Sequence, residues 1–514
     1  MGDRLNSLLI TTMGCVPARL VLALMCLLGF INLYMVRVNL SVIIVAMVRR
    51  NTSLEGHRAP CLSYLPTNGS LDDGKAGAAG IEDMDQEGEL EWSESVQGFV
   101  LGSFFYGYAI TQIVGGRAAE VYGVRWVFGS CILAGGVSAL LSPIAARTHY
   151  GLLITVRFLQ GMCQGVSWPS MHALIVLWIP PLERPRFIGF VYFVTAMSAW
   201  LTFVVCGFII AAWGWAVAFY VTGLLSILWC FLWFAFMYNS PAEHPRISKA
   251  ELEHIETTVQ ESGFFCGGDG AGQKQHYHRP QRVPWKQMFC SLPVWAILVH
   301  GMGNTWGISI YYSQLPTYMK NILGFSIKSN GVVSGLPFLT RYLGAITWSS
   351  LGDALTSRNY ISVLTCRRVA SMIGMWGPAV MLVCVAYIGC HWQAVVIFMC
   401  IALFCNGAIS SSAMVNHTDI APNFAATVFG VDNTMASVVS SIGPVVVGVM
   451  TDGQQMVAQW QKVFWTCVPI YFFTEVFYLA FASATVQPWN YIGQILPYKE
   501  ENQDEEEQRQ IQHL

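Results

Sequence analysis

Charge is what this sequence has least of: Asp, Glu, Lys and Arg make up 11% of its 514 residues, against about 25% in soluble domains. A chain so poor in charge, and 54% hydrophobic, cannot cover a soluble surface, so it reads as a polytopic membrane protein with the lipid bilayer as its first partner. The net charge of −2 comes with no basic tract, which excludes nucleic acid as a partner. No nucleophile triad, phosphate-cradling loop or pair of catalytic carboxylates is present, and we expect no enzymatic activity. Cysteine is plentiful, at 15 residues, but no C-x-x-C pair or Cys/His ligand spacing occurs, so no metal and no cofactor are expected. Cys26, Cys131, Cys163, Cys230, Cys384, Cys400 and Cys405 sit in apolar runs, where thiols behave as small hydrophobes. No cleavable leader is expected either. The first apolar run is too long for one and lacks a small-residue cleavage site, so it reads as a retained helix.

What is there is a succession of apolar stretches, each near the ~20 residues that cross a bilayer. They fall near 18–48, 94–114, 126–146, 157–184, 187–211 and 215–237, then 292–316, 329–351, 369–389, 394–416, 425–450 and 463–484. The expected fold is all-α, with 12 transmembrane helices in two six-helix halves, 18–237 and 292–484. A short N-terminus (1–17), a central polar loop (238–291) and an acidic tail (485–514) complete the plan. Arg184, Arg186, Arg246, Lys249, Arg279, Arg358, Arg367 and Arg368 fall in the even-numbered loops, which puts both termini in the cytoplasm. The loop 49–92 carries two N-glycosylation sequons, at Asn51 and Asn68, and lies on the opposite side by the same rule. Gly189, Gly207 and Gly223 are expected points of close helix contact.

A few polar residues break the apolar spans. Arg157 and His172 lie in the stretch R-F-L-Q-G-M-C-Q-G-V-S-W-P-S-M-H. An ionisable side chain in a span is costly unless it faces a polar cavity, and it marks a substrate or proton path by default. The spacing of Gly161 and Gly165 lets another helix approach closely, and Pro169 frees a backbone carbonyl. Arg157 stands at the start of the stretch as read, so a snorkelling side chain is the competing account. Arg37, in R-V-N-L-S-V, has no acid near it in its span. Facing a cavity, its guanidinium would draw a carboxylate or phosphate; bonded to another helix's carbonyls, it would be structural. Arg37 and Arg157 both come from the first half, so the cavity should be positive and the substrate a small anion.

Four stretches carry a resemblance. They are G-V-S-W-P-S-M-H with W-I-P-P-L-E-R, R-V-N-L-S-V, G-S-F-F-Y-G-Y-A-I-T-Q-I-V-G-G, and Asn416-His417-Thr-Asp419-Ile-Ala-Pro422. Together they resemble the anion/phosphate transporter family of the major facilitator superfamily, which includes sialin, the vesicular glutamate transporters and the sodium–phosphate cotransporters. The resemblance implies alternating access, with helices 1, 4, 7 and 10 around a central cavity. It makes Arg37, Arg157, His172, Asn304, Asn416 and His417 the substrate-binding candidates. The loop Gly116-Arg-Ala-Ala-Glu120-Val-Tyr-Gly123-Val-Arg125 resembles the superfamily's gating loop, with a weak copy at Asp353. Glu120, Arg125 and Asp353 are therefore the gating candidates.

Two positions depart from the family. Its sialin and glutamate branches carry a Glu, implicated in proton coupling, where this chain has Gln164. Glutamine cannot titrate, so no proton moves through that position. The glutamate branch also has an Arg just before the position of Thr305-Trp306, where this chain has Asn304, which makes glutamate a poorer substrate. Asp432, in V-D-N-T, and His172 are then the candidates for coupling, the cation being H+ or Na+. The expected function is secondary active transport of a small organic anion, such as sialic acid or another acidic sugar. Sodium-dependent phosphate cotransport and a non-transporting, receptor-like protein are the alternatives. A monomer in a lysosomal or vesicular membrane, or in the plasma membrane, fits equally.

Overall fold

The computed structural model describes residues 18–49, 61, 88–179, 184–245, 247–249, 251–253, 255, 257, 283–452 and 455–491. Asn51, Asn68, the terminal segments and most of the central loop lie outside the described residues. The first half comprises α1 (Ala18–Met47), α2 (Glu94–Tyr122), α3 (Val124–Thr148), α4 in two pieces (Tyr150–Gln164 and Ser167–Trp178), α5 (Arg184–Trp213) and α6 (Trp215–Phe236). The second comprises α7 (Leu292–Asn321), α8 (Ile327–Ser357), α9 (Val363–Ile388), α10 in two pieces (Trp392–Asn406 and Ala413–Ile420), α11 (Ala425–Thr451) and α12 (Val457–Phe481).

Local chemistry sets the helix ends. The hydroxyls of Ser93, Ser326 and Ser362 accept the free N–H groups that open α2, α8 and α9. Gly123 and Gly214, both at φ 85°, join α2 to α3 and α5 to α6 in one-residue turns, a backbone conformation that disfavours any side chain. Eight of the helices (α1, α3, α5, α6, α9, α10, α11 and α12) are long and apolar enough to cross a membrane. In α7 and α8 the residues His300, Lys320, Arg341 and Asp353 lower the hydropathy.

The two halves meet along α2 with α11 and α5 with α8. Glycine makes both seams tight. A Cβ on Gly98, Gly102 or Gly448 would press on backbone across α2 and α11, and Gly207 lies against Gly331. Gly223 meets α3 at Gly136, as expected from the sequence, while nothing is described of the surroundings of Gly189.

The ends of the bundle differ. At the end carrying the loop after α1, the halves are tied together. Lys320 Nζ donates to the Val45 carbonyl at 2.6 Å, and the Ser95 hydroxyl to Asp452 at 2.6 Å. A disulfide joins Cys61 to Cys390 at the same end. At the opposite end the ties stay within a half: Arg125 N–H donates to Asn239, and Arg367 pairs with Asp419 at 2.8 Å. The apolar core repeats the pattern. One buried cluster draws on both halves. A second belongs to the first half apart from Phe429, and a third to the second half alone.

Candidate functional site

Between the halves, Tyr34, Arg37, Val38, Ser41, Leu101, Phe104, Phe105, Arg157, Tyr312 and Ser313 line a narrow cavity. Arg37 is half-buried there, its guanidinium carbon 4.8 to 5.2 Å from the ring centres of Tyr34, Phe104, Phe105 and Tyr108. Among the described residues this guanidinium donates no hydrogen bond and meets no carboxylate. The rings supply cation–π attraction but accept no proton, so the five donors of the fork remain for a ligand.

Arg157 is differently placed from the sequence reading. Its helix starts at Tyr150, not at Arg157, so the arginine stands two turns inside the span and is 2% exposed. Snorkelling is thereby excluded. Its Nη1 donates to the Val36 carbonyl at 3.1 Å and to Gln160 Oε1 at 3.0 Å, and Nη2 donates to the Arg37 carbonyl at 2.9 Å. The structural role weighed for Arg37 thus falls to Arg157, which clamps the backbone that carries Arg37. Gln160 Nε2 donates to the same Val36 carbonyl. Gly161 and Gly165 face α2, where a Cβ would press on the Phe104 and Tyr108 carbonyls. Beyond them α4 breaks at Gly165–Val166, and the freed Met162 carbonyl accepts from the Thr111 hydroxyl at 2.8 Å. Gln164 is buried against Gly135 of α3 and does not line the cavity.

The expectation that the intramembrane cations come only from the first half is corrected by Arg341 on α8. Its Nη1 donates to the Tyr312 hydroxyl on the cavity wall at 3.4 Å, and its Nε to Asn406 Oδ1 at 2.9 Å. Asn406 in turn donates to Asn304 Oδ1 at 2.9 Å. Asn304 is therefore linked to the cavity through Asn406, Arg341 and Tyr312. The signal was present in the sequence as a lone arginine in the span 329–351.

Asn416 and His417 lie apart from the cavity wall, in a buried polar cluster of the second half. Asn416 Nδ2 donates to the Tyr478 hydroxyl at 3.0 Å. His417 Nε2 approaches Asp432 Oδ2 at 3.4 Å, so two residues picked out separately in the sequence face one another. Next to them, His300 Nε2 approaches Glu475 Oε2 at 3.5 Å, both side chains being 0% exposed. Sequence reasoning missed His300, a lone histidine in the span 292–316. Asp419, in the same motif, pairs with Arg367, whose Nη1 also satisfies the Ser411 carbonyl where α10 breaks.

Of the gating candidates, Arg125 donates to the Phe234 carbonyl and lies over the Tyr238 ring at 5.1 Å, tying α3 to the end of α6. Asp353 is exposed, with no ion pair among the described residues. The side chains of Glu120 and His172 lie outside those described, although both residues are helical.

Comparison with known proteins bears on this arrangement. Residues 25–444 match the Major Facilitator Superfamily. Sialin of Homo sapiens is 36% identical over 475 residues, 92% of this chain and 91% of that one. Vesicular glutamate transporter 2 of Homo sapiens is 32% identical over 474 residues, 92% of this chain and 75% of the relative. The crystal structure of a D-xylose–proton symporter superposes with a TM-score of 0.62 at 16% identity, covering 90% of this chain and 98% of that one, and so shares the fold. With a helical bundle in two halves, a cavity between them and these matches over most of its length, the chain belongs to the Major Facilitator Superfamily of multi-pass membrane transporters and is not an enzyme.

Proposed function

We propose that this protein is a secondary active transporter of a small organic anion, a carboxylate such as sialic acid or another acidic sugar, working by alternating access and coupled to a cation. The observation that carries this reading is Arg37, a cation in the cavity between the halves with aromatic rings around it and no acid opposite. A desolvated cation without a counter-charge is unfavourable, and a substrate carboxylate supplies one with two parallel hydrogen bonds. Arg157 holds the Arg37 backbone in place, and Arg341 adds positive charge from the other half. The walls favour an organic anion over inorganic phosphate: Leu101, Phe104, Phe105 and Tyr312 offer carbon surface for a sugar ring or alkyl body. Sialin and vesicular glutamate transporter 2 as relatives support transport of such anions.

The ties at one end of the bundle and separate cores at the other support an inward-facing state. The same contrast fits the expected orientation. Disulfides persist in oxidising compartments, and Cys61–Cys390 joins the loop that bears Asn51 and Asn68. That end therefore faces a lumen or the cell exterior, and both termini face the cytoplasm. The two relatives make a lysosomal or vesicular membrane the favoured location.

The test is uptake into proteoliposomes of labelled sialic acid, glutamate and phosphate, under proton and sodium gradients applied separately. Saturable uptake of sialic acid that unlabelled phosphate fails to inhibit is the expected result. Sodium-driven phosphate uptake alone would replace the reading with the phosphate alternative, and binding without uptake of any of the three would point to a receptor.

A further inference from the structure

The buried polar cluster of the second half has more acceptors than protons to fill them. His417 Nδ1 lies 3.3 Å from the Met414 carbonyl. A carbonyl and a carboxylate only accept, and His417 Nε2 faces Asp432 Oδ2 at 3.4 Å, so a neutral ring has one N–H for two acceptors. One additional proton satisfies both contacts and leaves the pair without net charge. The second pair repeats the situation. Glu475 Oε1 accepts from the Ser371 hydroxyl at 2.6 Å, while Oε2 faces His300 Nε2 at 3.5 Å with no other partner. The two pairs are neighbours. His300 reaches Glu475 on α12, and the next residue, Gly301, has no side chain because Asp432 fills that space from α11. The His300 ring also lies 4.8 Å from that of Tyr478.

Among the described residues, no Lys or Arg pairs with either of these carboxylates. The charged groups around them on the packed helices are Arg367, Arg368 and Asp419. Arg367 is taken by Asp419, and the described Arg368 bond goes to the Ala482 carbonyl. The charge balance of the cluster is thus made by protons. Only one of the pairs is open at all: the Asp432 side chain is 15% exposed, whereas His300 and Glu475 are sealed. Along α7, Asn304 stands one turn from His300 and is joined to the anion cavity through Asn406, Arg341 and Tyr312.

We propose that His417 and Asp432 form the exchangeable proton site of this transporter, with His300 and Glu475 as a sealed second pair behind it. This rests on the anion-transport reading above and names its coupling ion. With the proton bound the pair is neutral overall and can be occluded. Without it, a buried carboxylate has no counter-charge, an unfavourable state that is relieved when the halves part and water enters. The proton comes from water on one side, resides between His417 Nε2 and Asp432 Oδ2, and returns to water on the other. No bond but the N–H or O–H changes. The site takes over the role that Gln164 cannot perform.

The experiment uses the full chain in proteoliposomes loaded with a pH-sensitive dye and given radiolabelled sialic acid. Wild-type uptake should carry protons in the direction of the acid. Asp432→Asn and His417→Gln should abolish proton-driven accumulation, by tenfold or more, yet retain counterflow of labelled against unlabelled acid. Asp432→Glu should restore part of the proton drive. Wild-type uptake that moves no protons overturns the proposal without recourse to any variant, as does unchanged proton-driven accumulation in Asp432→Asn. Absence of wild-type counterflow is a different result, which removes the anion reading itself.

Discussion

Replacing Arg37 separates a substrate-binding cation from a structural one. In Arg37→Lys the charge survives but the planar fork does not. An ammonium among four rings can offer a carboxylate one strong hydrogen bond where the guanidinium offers two. A hydrogen bond to a charged group is worth about 1.5–3 kcal/mol, and each 1.4 kcal/mol is roughly tenfold in affinity. The KM for uptake should therefore rise about 10- to 100-fold, with the maximal rate less affected. In Arg37→Gln the counter-charge is gone, and saturable uptake should vanish. Stability supplies the second readout. The native guanidinium has no hydrogen-bond partner among the described residues, so its removal forfeits only cation–π attraction, about 0.5–2 kcal/mol, and relieves the desolvation of a lone cation. Thermal unfolding of substrate-free Arg37→Gln in detergent should shift by no more than a few degrees in either direction, and added sialic acid should stabilise the wild type and leave the variant unmoved. A variant that unfolds well below the wild type, together with an Arg37→Lys protein of unchanged KM, would refute the assignment and make Arg37 a packing residue.

Three further outcomes are expected. Peptide mapping without reductant should recover a Cys61–Cys390 cross-link, and Cys61→Ser should lower thermal stability, by an amount in the ordinary disulfide range of about 2–4 kcal/mol. Gly161→Val should cost about 3 kcal/mol or more of stability, read as lost folded protein in detergent, because its Cβ would press on the Phe104 carbonyl and neither helix backbone can yield. Glu89→Gln should be nearly silent above pH 5. The Arg147 guanidinium at 3.0 Å holds the Glu89 carboxyl below its usual range, so any contribution is present above the unfolded carboxylate pKa and disappears as pH falls through the lowered one. The pair is half exposed and screened, so its loss amounts to no more than about 0.5 kcal/mol.

The fold was legible because lipid imposes a coarse rule, a run of apolar residues about twenty long. Its errors lie where a helix outlasts its apolar stretch. Helix α2 continues to Tyr122, past the expected end at 114, and α7 runs on through Pro316 to Asn321. Pro316 does not end α7, because a helix packed among others tolerates the backbone carbonyl that a proline leaves free. The site was half legible. Arg37 announced itself as a cation without an acid in its own span, and Arg341 would have done so by the same test. The pairs His417–Asp432 and His300–Glu475 were not legible, since each joins residues from different helices and no spacing encodes which faces will meet. Cys61 and Cys390 are likewise brought together only by the fold, at a sequence separation of 329.

The two halves are built alike but charged differently, and that difference is what a coupled cycle needs. Helices α4 and α10 hold equivalent places and both break: α4 at Gly165–Val166, α10 at Gly407–Ser411. At each break a neighbouring side chain takes the loose carbonyl, Thr111 in the first half and Arg367 in the second. The first half keeps a fixed positive charge at Arg37 in the cavity, and the second keeps carboxylates beside histidines. In the proposed cycle an anion neutralises the one and a proton the other. Each half is therefore unsatisfied until its own ligand arrives. A transporter that pays to bury either charge alone will cross the occluded state most readily with both ligands bound or with neither. The chain Tyr312–Arg341–Asn406–Asn304 runs between the two sites and ends one turn of α7 from His300. A shift of α7 relative to α8 and α10 would therefore be felt at both.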